Sequence, residues 1–145
     1  MTAARADHRD GLDLRWLLDQ LIRRVVGIDA AVLLSADGLL LSRSSGMGIE
    51  PAEHLAATAS ALTGLARSAG RQFGRGAVHQ TAIEMEGGYL LVAPAGQGTA
   101  LALLTDRDPD LGMIVYEMQL LVRRVGDHLG VAPRTRGPSP GGLRA

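Results

Sequence analysis

The chain contains neither cysteine nor lysine and is poor in aromatic residues. The absence of cysteine excludes disulfides, thiolate metal sites and cysteine nucleophiles. The absence of lysine, since all 15 basic residues are arginine, excludes a Schiff base and the lysine of a phosphate-binding P-loop. One Trp, two Tyr and one Phe are too few for a surface that stacks nucleic-acid bases.

The chain also lacks an excess of either charge and any long apolar segment. Fifteen acidic residues balance the fifteen arginines, so no net field draws the protein to nucleic acid or to an anionic membrane. No apolar run reaches the roughly 18 residues of a membrane-spanning helix. The polar residues Met1 to Asp10 do not resemble a signal peptide. We therefore expect a cytoplasmic protein without direct membrane insertion.

Hydrophobic periodicity and turn residues predict one α/β (α+β) domain in the order α-β-β-α-β-β-β-α. A five-stranded antiparallel or mixed sheet with helices on both faces satisfies this order. We expect a disordered lead over residues 1–11, the folded domain over 12–131, and a disordered Gly/Pro-rich tail over 132–145. The first predicted helix is capped by Asp13 and runs to Val26, and strands Ala30–Ser35 and Leu39–Ser42 follow it. A helix over Pro51–Gly70 precedes strands Val78–Met85, Tyr89–Ala93 and Thr99–Thr105, with a turn at Gly87 and Gly88. The last predicted helix begins at Asp108, Pro109 and Asp110 and ends near Leu129.

The predicted helix over 51–70 has two unlike faces. Its core face is expected to consist of Leu55, Leu62, Ala66 and Phe73. The opposite face carries small residues, namely Ala57, Ser60, Ala61, Gly64 and Ser68, edged by Glu53, Arg67 and Arg71. Small side chains let another backbone approach, which predicts a docking face for a second copy of the chain. The alternative is that alanine is simply a good helix former, but Gly and Ser are not.

No group of residues fits catalysis or metal binding. None of the four histidines lies in a nucleophile motif. Asp106, Asp108, Asp110 and Glu117 match part of a calcium-loop pattern, but Leu111 occupies the position that requires glycine. The Gly-rich segments lack the spacing of nucleotide fingerprints. We therefore predict no catalytic residue, no cofactor and no metal.

A second surface is formed by Trp16 on the polar face of the first helix, and by Met113, Tyr116 and Leu120 on the last helix away from its core face. Exposed aromatic and apolar side chains beside arginine often mark partner contacts. The alternative is that the two helices lie side by side and Trp16 covers the strip on the last helix.

Several local sequences resemble the Roadblock family, the dynein-light-chain-type domain, and most closely its small bacterial members from conservon operons. The stretches that carry the resemblance are Leu14–Leu18, Val32–Leu39, Ala57–Leu62 with Ala66 and Arg67, and Gly87–Val92. The resemblance extends from Asp13 to about Val131. It is a signature of fold and interface and includes no catalytic residue.

The resemblance implies an antiparallel sheet of order 2-1-5-4-3 with the small-residue helix on one face and the terminal helices on the other. It implies a homodimer that pairs the third strand, here with Val78, Gln80, Ala82 and Glu84 on one face, and the middle helices. It further implies a non-catalytic adaptor or regulator of a Ras-like GTPase, with a sensor-kinase-like protein as a possible further partner. Arg67 and Arg71 are candidates for partner contacts. A small-molecule-binding sensory domain is the alternative function, and an enzyme is a third.

Overall fold

The computed structural model describes residues 14–96 and 98–128, and within them it has three helices and five strands. The predicted Asp13 cap, the two terminal segments and Leu129 lie outside the described residues. Helix α1 is described over residues 14–24. The other elements are β1 (Ile28–Ser35), β2 (Leu40–Arg43), α2 (Ile49–Gln72), β3 (Thr81–Met85), β4 (Gly88–Pro94), β5 (Thr99–Thr105) and α3 (Leu111–His128).

The strands form one sheet in the order β2-β1-β5-β4-β3, and every neighbouring pair is antiparallel. The expected element order, strand order and antiparallel pairing are confirmed. Alternate side chains of the central strands enter two separate cores, as the strand period of two requires. Leu33, Leu91 and Leu103 pack against α1 and α3. Val32, Leu90 and Val92 pack against α2.

The Asp-Gly turn sets the first hairpin. Gly38 adopts φ 91° and its backbone N–H donates to the carbonyl of Ser35 at 2.9 Å. The Ser35 hydroxyl accepts the N–H of Leu39 at 3.0 Å and donates to the Asp37 carboxylate at 2.5 Å. These bonds close the turn within the first hairpin, as the sequence predicted.

Helix α2 is longer than predicted at both ends. It begins at Ile49, and the Ala52 N–H donates to the carbonyl of the N-cap residue Gly48 at 3.1 Å. Pro51 still lies in the first turn, where its missing N–H costs nothing. The helix ends at Gln72, so Phe73 is its C-cap residue and is 67% exposed. The assignment of Phe73 to the core face was therefore wrong.

Several other boundaries also differ from the predictions. Strand β3 begins at Thr81 instead of Val78, and the tight turn consists of Glu86 and Gly87 because Gly88 already pairs with Met85. Helix α3 begins at Leu111, and the carboxylate of Asp110 accepts the N–H of Met113 at 3.2 Å. Asp110 is therefore the capping residue, and Asp108 is not.

None of the described helices is both long and apolar enough to cross a bilayer.

Gly88 is required by a close approach of two strand ends. Its φ is 152°, and a Cβ built on it would lie 2.0 Å from the carbonyl oxygen of Thr105. We expect Gly88→Ala to lower the free energy of unfolding by about 3 kcal/mol, since backbone must move to admit the methyl group. Gly87→Ala is the matched control, because a Cβ at Gly87 meets nothing within 4 Å. Urea denaturation of both variants measures the difference, and equal stabilities would contradict this account of Gly88.

Candidate interaction surfaces

The outer face of α2 combines small side chains with exposed apolar ones. Ala57, Ala61, Gly64 and Ser68 are all exposed, on the side of the helix opposite the buried Ala52, Leu55, Ala56 and Ala59. A Cβ at Gly64 would meet nothing within 4 Å. Leu65, on the same half of the helix, is 70% exposed. This outer face therefore leaves apolar surface uncovered within one chain.

Ser60 belongs to a different environment from the rest of the predicted docking face. Its side chain is half-buried, and its hydroxyl donates to the carbonyl of Ala36 at 2.9 Å. A Cβ built on Gly38 would lie 3.4 Å from the Cβ of Ser60. The small side chain of Ser60 thus accommodates the β1–β2 turn of its own chain. The structure leaves the face open at Ala61, Gly64 and Ser68.

Strand β3 is an edge of the sheet with a free row of backbone groups. Met85 and Gly88 face each other across a two-residue turn, and such a closing pair exchanges both hydrogen bonds. The alternation of an antiparallel ladder then assigns the next hydrogen-bonded pairs to Ile83 and Thr81 with their β4 partners. Ala82 and Glu84 consequently direct their backbone N–H and C=O groups away from the sheet.

The two edges of the sheet differ in protection. Strand β2 has four residues and its pairing with β1 shifts register between Leu33 and Leu34, which marks a bulge. Short length and bulges are how sheet edges avoid further pairing. Strand β3 pairs in continuous register over five residues and contains no proline. Of the two edges, β3 is the one suited to add another strand.

Two further predicted residues, Val78 and Gln80, precede β3 rather than belonging to it. Gly70 of α2 is close to this segment: a Cβ on Gly70 would lie 2.3 Å from the carbonyl oxygen of Gly76 and 3.8 Å from the Cγ2 of Val78. Val78 is half-buried and Gln80 is exposed. The end of α2 and the start of the β3 edge are therefore continuous in space.

Two charged residues border this region. Arg67 and Arg71 line a depression of about 330 Å³ together with Gly76–Val78 and Pro94. Neither arginine forms an ion pair with any residue of the described part of the chain. Glu53 is exposed near the other end of α2. The helix thus has acidic character at its start and basic character at its end.

Glu84 also pairs with Tyr89 directly across the β3–β4 ladder. Partial burial, the charge of Glu84 and a hydrogen bond from the phenol to that carboxylate all raise the pKa of Tyr89 above 10.0. The folded state favours the neutral phenol, so this contribution to stability is complete below pH 10.0 and is lost as the pH rises through the folded pKa.

The raised pKa of Tyr89 can be measured by ultraviolet titration of tyrosinate in a Tyr116→Phe background, which leaves Tyr89 as the only tyrosine. We expect a midpoint above 10.0, and a lower midpoint when Glu84→Gln removes the charge. An unchanged midpoint in the Glu84→Gln variant would contradict the assigned partner.

Helices α1 and α3 lie side by side but run in opposite directions. The N–H of Asp106 donates to the carbonyl of Gly27 at 2.8 Å, so the end of α1 adjoins the start of α3. Arg24 and Glu117 form an ion pair of 3.3 Å between the helices. This order places Trp16 and Tyr116 at opposite ends of the pair. Trp16 therefore does not cover the strip on α3: Trp16, Met113 and Tyr116 are 52%, 48% and 61% exposed, and Leu120 is half-buried.

A groove of about 250 Å³ separates the two helices on their outer side. Its apolar lining comes from Leu17, Leu21, Leu120 and Leu121, and its polar lining from Gln20, Arg24, Glu117, Arg123 and Arg124. The pattern of neither helix alone predicts this groove. Gln20 and Arg24, which lie one turn apart beside the apolar stripe of α1, were a signal that this flank of the helix is partly polar. The position of α1 along α3, which forms the groove, cannot be read from either helix.

The amide oxygen of Gln20 is buried in this groove and has no hydrogen-bond partner among the described residues. A buried acceptor without a donor costs about 1–3 kcal/mol. We expect Gln20→Met, which keeps the shape and removes the polar group, to raise the free energy of unfolding by about 1 kcal/mol. Thermal and urea denaturation measure the change, with Gln72→Met on the exposed end of α2 as the control. Destabilisation by Gln20→Met would show that the amide is satisfied.

Within the described residues, no group of three or more His, Cys, Asp or Glu side chains could hold a metal ion. Two acidic residues of the partial calcium pattern, Asp106 and Asp110, instead accept backbone hydrogen bonds around the start of α3. The carboxylate of Asp106 accepts the N–H of Asp108 at 3.2 Å, and Asp110 caps the helix. The distinguishing features of this domain are therefore its surfaces.

A family model, a curated relative and several solved structures match this chain. The model of the Roadblock/LC7 domain matches residues 14–105. The crystal structure of a Roadblock/LC7 domain from Streptomyces avermitilis is 44% identical, covers 79% of this chain and 96% of that chain, and superposes with a TM-score of 0.76. The uncharacterised protein MJ1340 of Methanocaldococcus jannaschii is 34% identical over 72% of this chain and 90% of its own length.

A more distant match shares the fold. The structure of the gliding protein MglB from Thermus thermophilus is 17% identical, covers 85% of this chain and 90% of that chain, and has a TM-score of 0.71.

Proposed function

The chain belongs to the Roadblock/LC7 domain family, and from this premise we propose that it is a non-catalytic homodimeric adaptor that regulates a Ras-like GTPase. The observation that carries the proposal is the continuity of two incomplete surfaces, the outer face of α2 and the free edge of β3. Each lacks a partner within the described chain, and a second copy supplies one for both.

The helix contribution depends on close approach. In a two-fold interface the same surface is used on both copies, and exposed Ala61, Gly64 and Ser68 allow two α2 helices to come together. Leu65 supplies apolar area that would leave water. Antiparallel packing also brings the start of one helix, which carries Glu53, near the end of the other. The macrodipoles of the two helices favour the same arrangement.

The strand contribution depends on the outward N–H groups of Ala82 and Glu84. Two β3 edges related by a two-fold axis run antiparallel and can complete each other's hydrogen bonds. The result is one continuous sheet through both copies. Because α2 contacts β3 in the same chain, the helix pair and the strand pair belong to a single interface.

The dimer is proposed to act on the GTPase through geometry. Neither copy needs to supply a catalytic group, since a composite surface that binds one switch-loop conformation more tightly shifts the population toward it. Arg67 and Arg71 are the proposed contacts, because they have no acidic partner among the described residues and their depression suits a carboxylate of the GTPase. The resemblance to conservon proteins extends the proposal to a sensor-kinase-like partner and to a cytoplasmic location. Its partners would recruit the protein to the inner face of the membrane.

The GTPase proposal is tested by co-expression with a Ras-like GTPase encoded beside this chain, followed by size-exclusion chromatography with GDP and with a GTP analogue. We expect co-elution that depends on the nucleotide. Arg67→Ala combined with Arg71→Ala should weaken it at least about tenfold, whereas Arg75→Ala, on the loop after α2, should not. Separate elution in both nucleotide states would exclude the proposed partner.

A further inference from the structure

We propose that the groove between α1 and α3 binds a short, acidic amphipathic helix of another protein. The groove faces away from the sheet on the side opposite α2. The proposal is therefore independent of the dimer and of the GTPase site, and it concerns a second partner. The shape of the groove, its charge and the unpartnered amide oxygen of Gln20 point to this occupant.

The length of the groove fits a helix of about three turns. Because α1 and α3 are antiparallel and Arg24 faces Glu117, Tyr116 is level with residue 25, which directly follows α1. Trp16 lies nine residues from that level, which corresponds to about 14 Å at 1.5 Å per residue. One exposed aromatic side chain therefore stands near each end of the groove. Such a groove is the usual receptor for one apolar helix face.

The charge of the rim selects an acidic partner. Arg123 and Arg124 line the groove, are exposed and form no ion pair within the described part of the chain. Glu117 is only 14% exposed and is paired with Arg24, and the exposed Asp127 is the remaining acid beside α3's arginines. Carboxylates on the polar face of a bound helix can pair with these guanidinium groups.

The buried amide oxygen of Gln20 adds a polar requirement. It has no donor among the described residues, and it lines the same groove as Leu17 and Leu121. Because the oxygen is buried in the free chain, a hydroxyl or amide of the bound helix can donate to it only after the Gln20 side chain rotates into the groove. The site thus offers apolar lining, cationic rims and one acceptor.

The chain's own terminal sequences do not match this chemistry. Residues 132–145 carry Arg134, Arg136 and Arg144 and no acidic residue, so the arginine rim would repel them. Residues 1–13 contain acidic residues, but Met1 and Leu12 are their only large apolar side chains. A separate protein is therefore the proposed occupant. A lipid surface fits less well, because the leucines line a concave groove instead of projecting outward.

Trp16 is the only tryptophan of the chain, so its fluorescence reports binding. The probe is a synthetic helical peptide of about twelve residues, with leucines on one face, glutamates on the other and one serine beside the leucines. The full-length protein is titrated with this peptide and with a counterpart in which lysine replaces glutamate. We expect a saturable blue shift of Trp16 emission with the acidic peptide, and binding of the basic peptide at least about tenfold weaker.

Charge reversal and a control locate the site. Arg123→Glu combined with Arg124→Glu should weaken the acidic peptide at least about tenfold, and Arg75→Glu, on the other side of the sheet, should not. If the double variant fails to fold, Tyr116→Ala is the second test. This substitution shortens an exposed side chain and should weaken binding of the acidic peptide. The proposal is overturned by equal binding of both peptides, by no binding up to about 1 mM, or by affinities that these variants leave unchanged. A Trp16 shift with phosphatidylserine vesicles but not with the peptide would assign the surface to membranes instead.

Discussion

Glu84→Pro is expected to separate the proposed dimer into folded monomers. Proline removes the outward N–H at this position, and its ring obstructs the neighbouring strand, but the β3–β4 ladder keeps its hydrogen bonds. Because the two-fold axis places this residue in the interface twice, each dimer loses two hydrogen-bond donors. We expect the dimer dissociation constant to rise at least about 100-fold, as measured by sedimentation velocity over a concentration series.

The matched control for this proline is Glu84→Ala, which also removes the carboxylate but keeps the N–H. It should dimerise far better than Glu84→Pro. Circular dichroism should show the same sheet content for both. If Glu84→Pro dimerises like the parent chain, β3 is not the pairing edge.

Gly64→Leu is expected to have opposite effects on the monomer and on the dimer. A side chain at Gly64 meets nothing within 4 Å in the single chain, and replacing glycine inside an exposed helix stabilises it by about 0.7 kcal/mol. In the dimer the leucine would occupy the space needed by the second backbone. We therefore expect dimerisation to weaken roughly 100-fold, while the monomer becomes slightly harder to unfold.

Gly126→Leu provides the comparison for Gly64→Leu, since Gly126 lies in α3 on the other face of the sheet and a Cβ built on it also meets nothing within 4 Å. It adds the same side chain at a helical glycine outside the proposed contact. Light scattering of the two variants measures dimer mass, and urea denaturation at low concentration measures monomer stability. Equal dimerisation by the two variants would place the contact elsewhere on the molecule.

The element order and the sheet could be predicted because their signals are local. Asp37 and Gly38 between two short apolar runs determine the first hairpin, and alternation along β3 and β4 determines which residues face α2. The first and last residues of the helices and strands were harder to predict. Ile49 joins α2 because Gly48 can begin a helix without a side-chain cap, and no periodic residue signals this start.

The candidate surfaces show a second limit of the sequence. Phe73 has the helical angle of the core face, but it lies just past the last residue of α2. The angle of a residue does not show where its helix ends. Trp16 and Tyr116 were expected together because each flanks an apolar stripe. Their separation follows from the opposite directions of α1 and α3 and from the pairing of Arg24 with Glu117. Relative helix position is a tertiary property, which one helix pattern does not contain.

The central claim is that two copies of this chain join through α2 and β3 to present one surface to a GTPase. Sedimentation equilibrium of the purified chain from micromolar to millimolar concentration tests it most directly. The account predicts a mass of twice the 15.2 kDa of one chain, reduced to a single chain by Glu84→Pro. A mass of 15.2 kDa at every concentration, or a dimer that neither Glu84→Pro nor Gly64→Leu weakens, would contradict it.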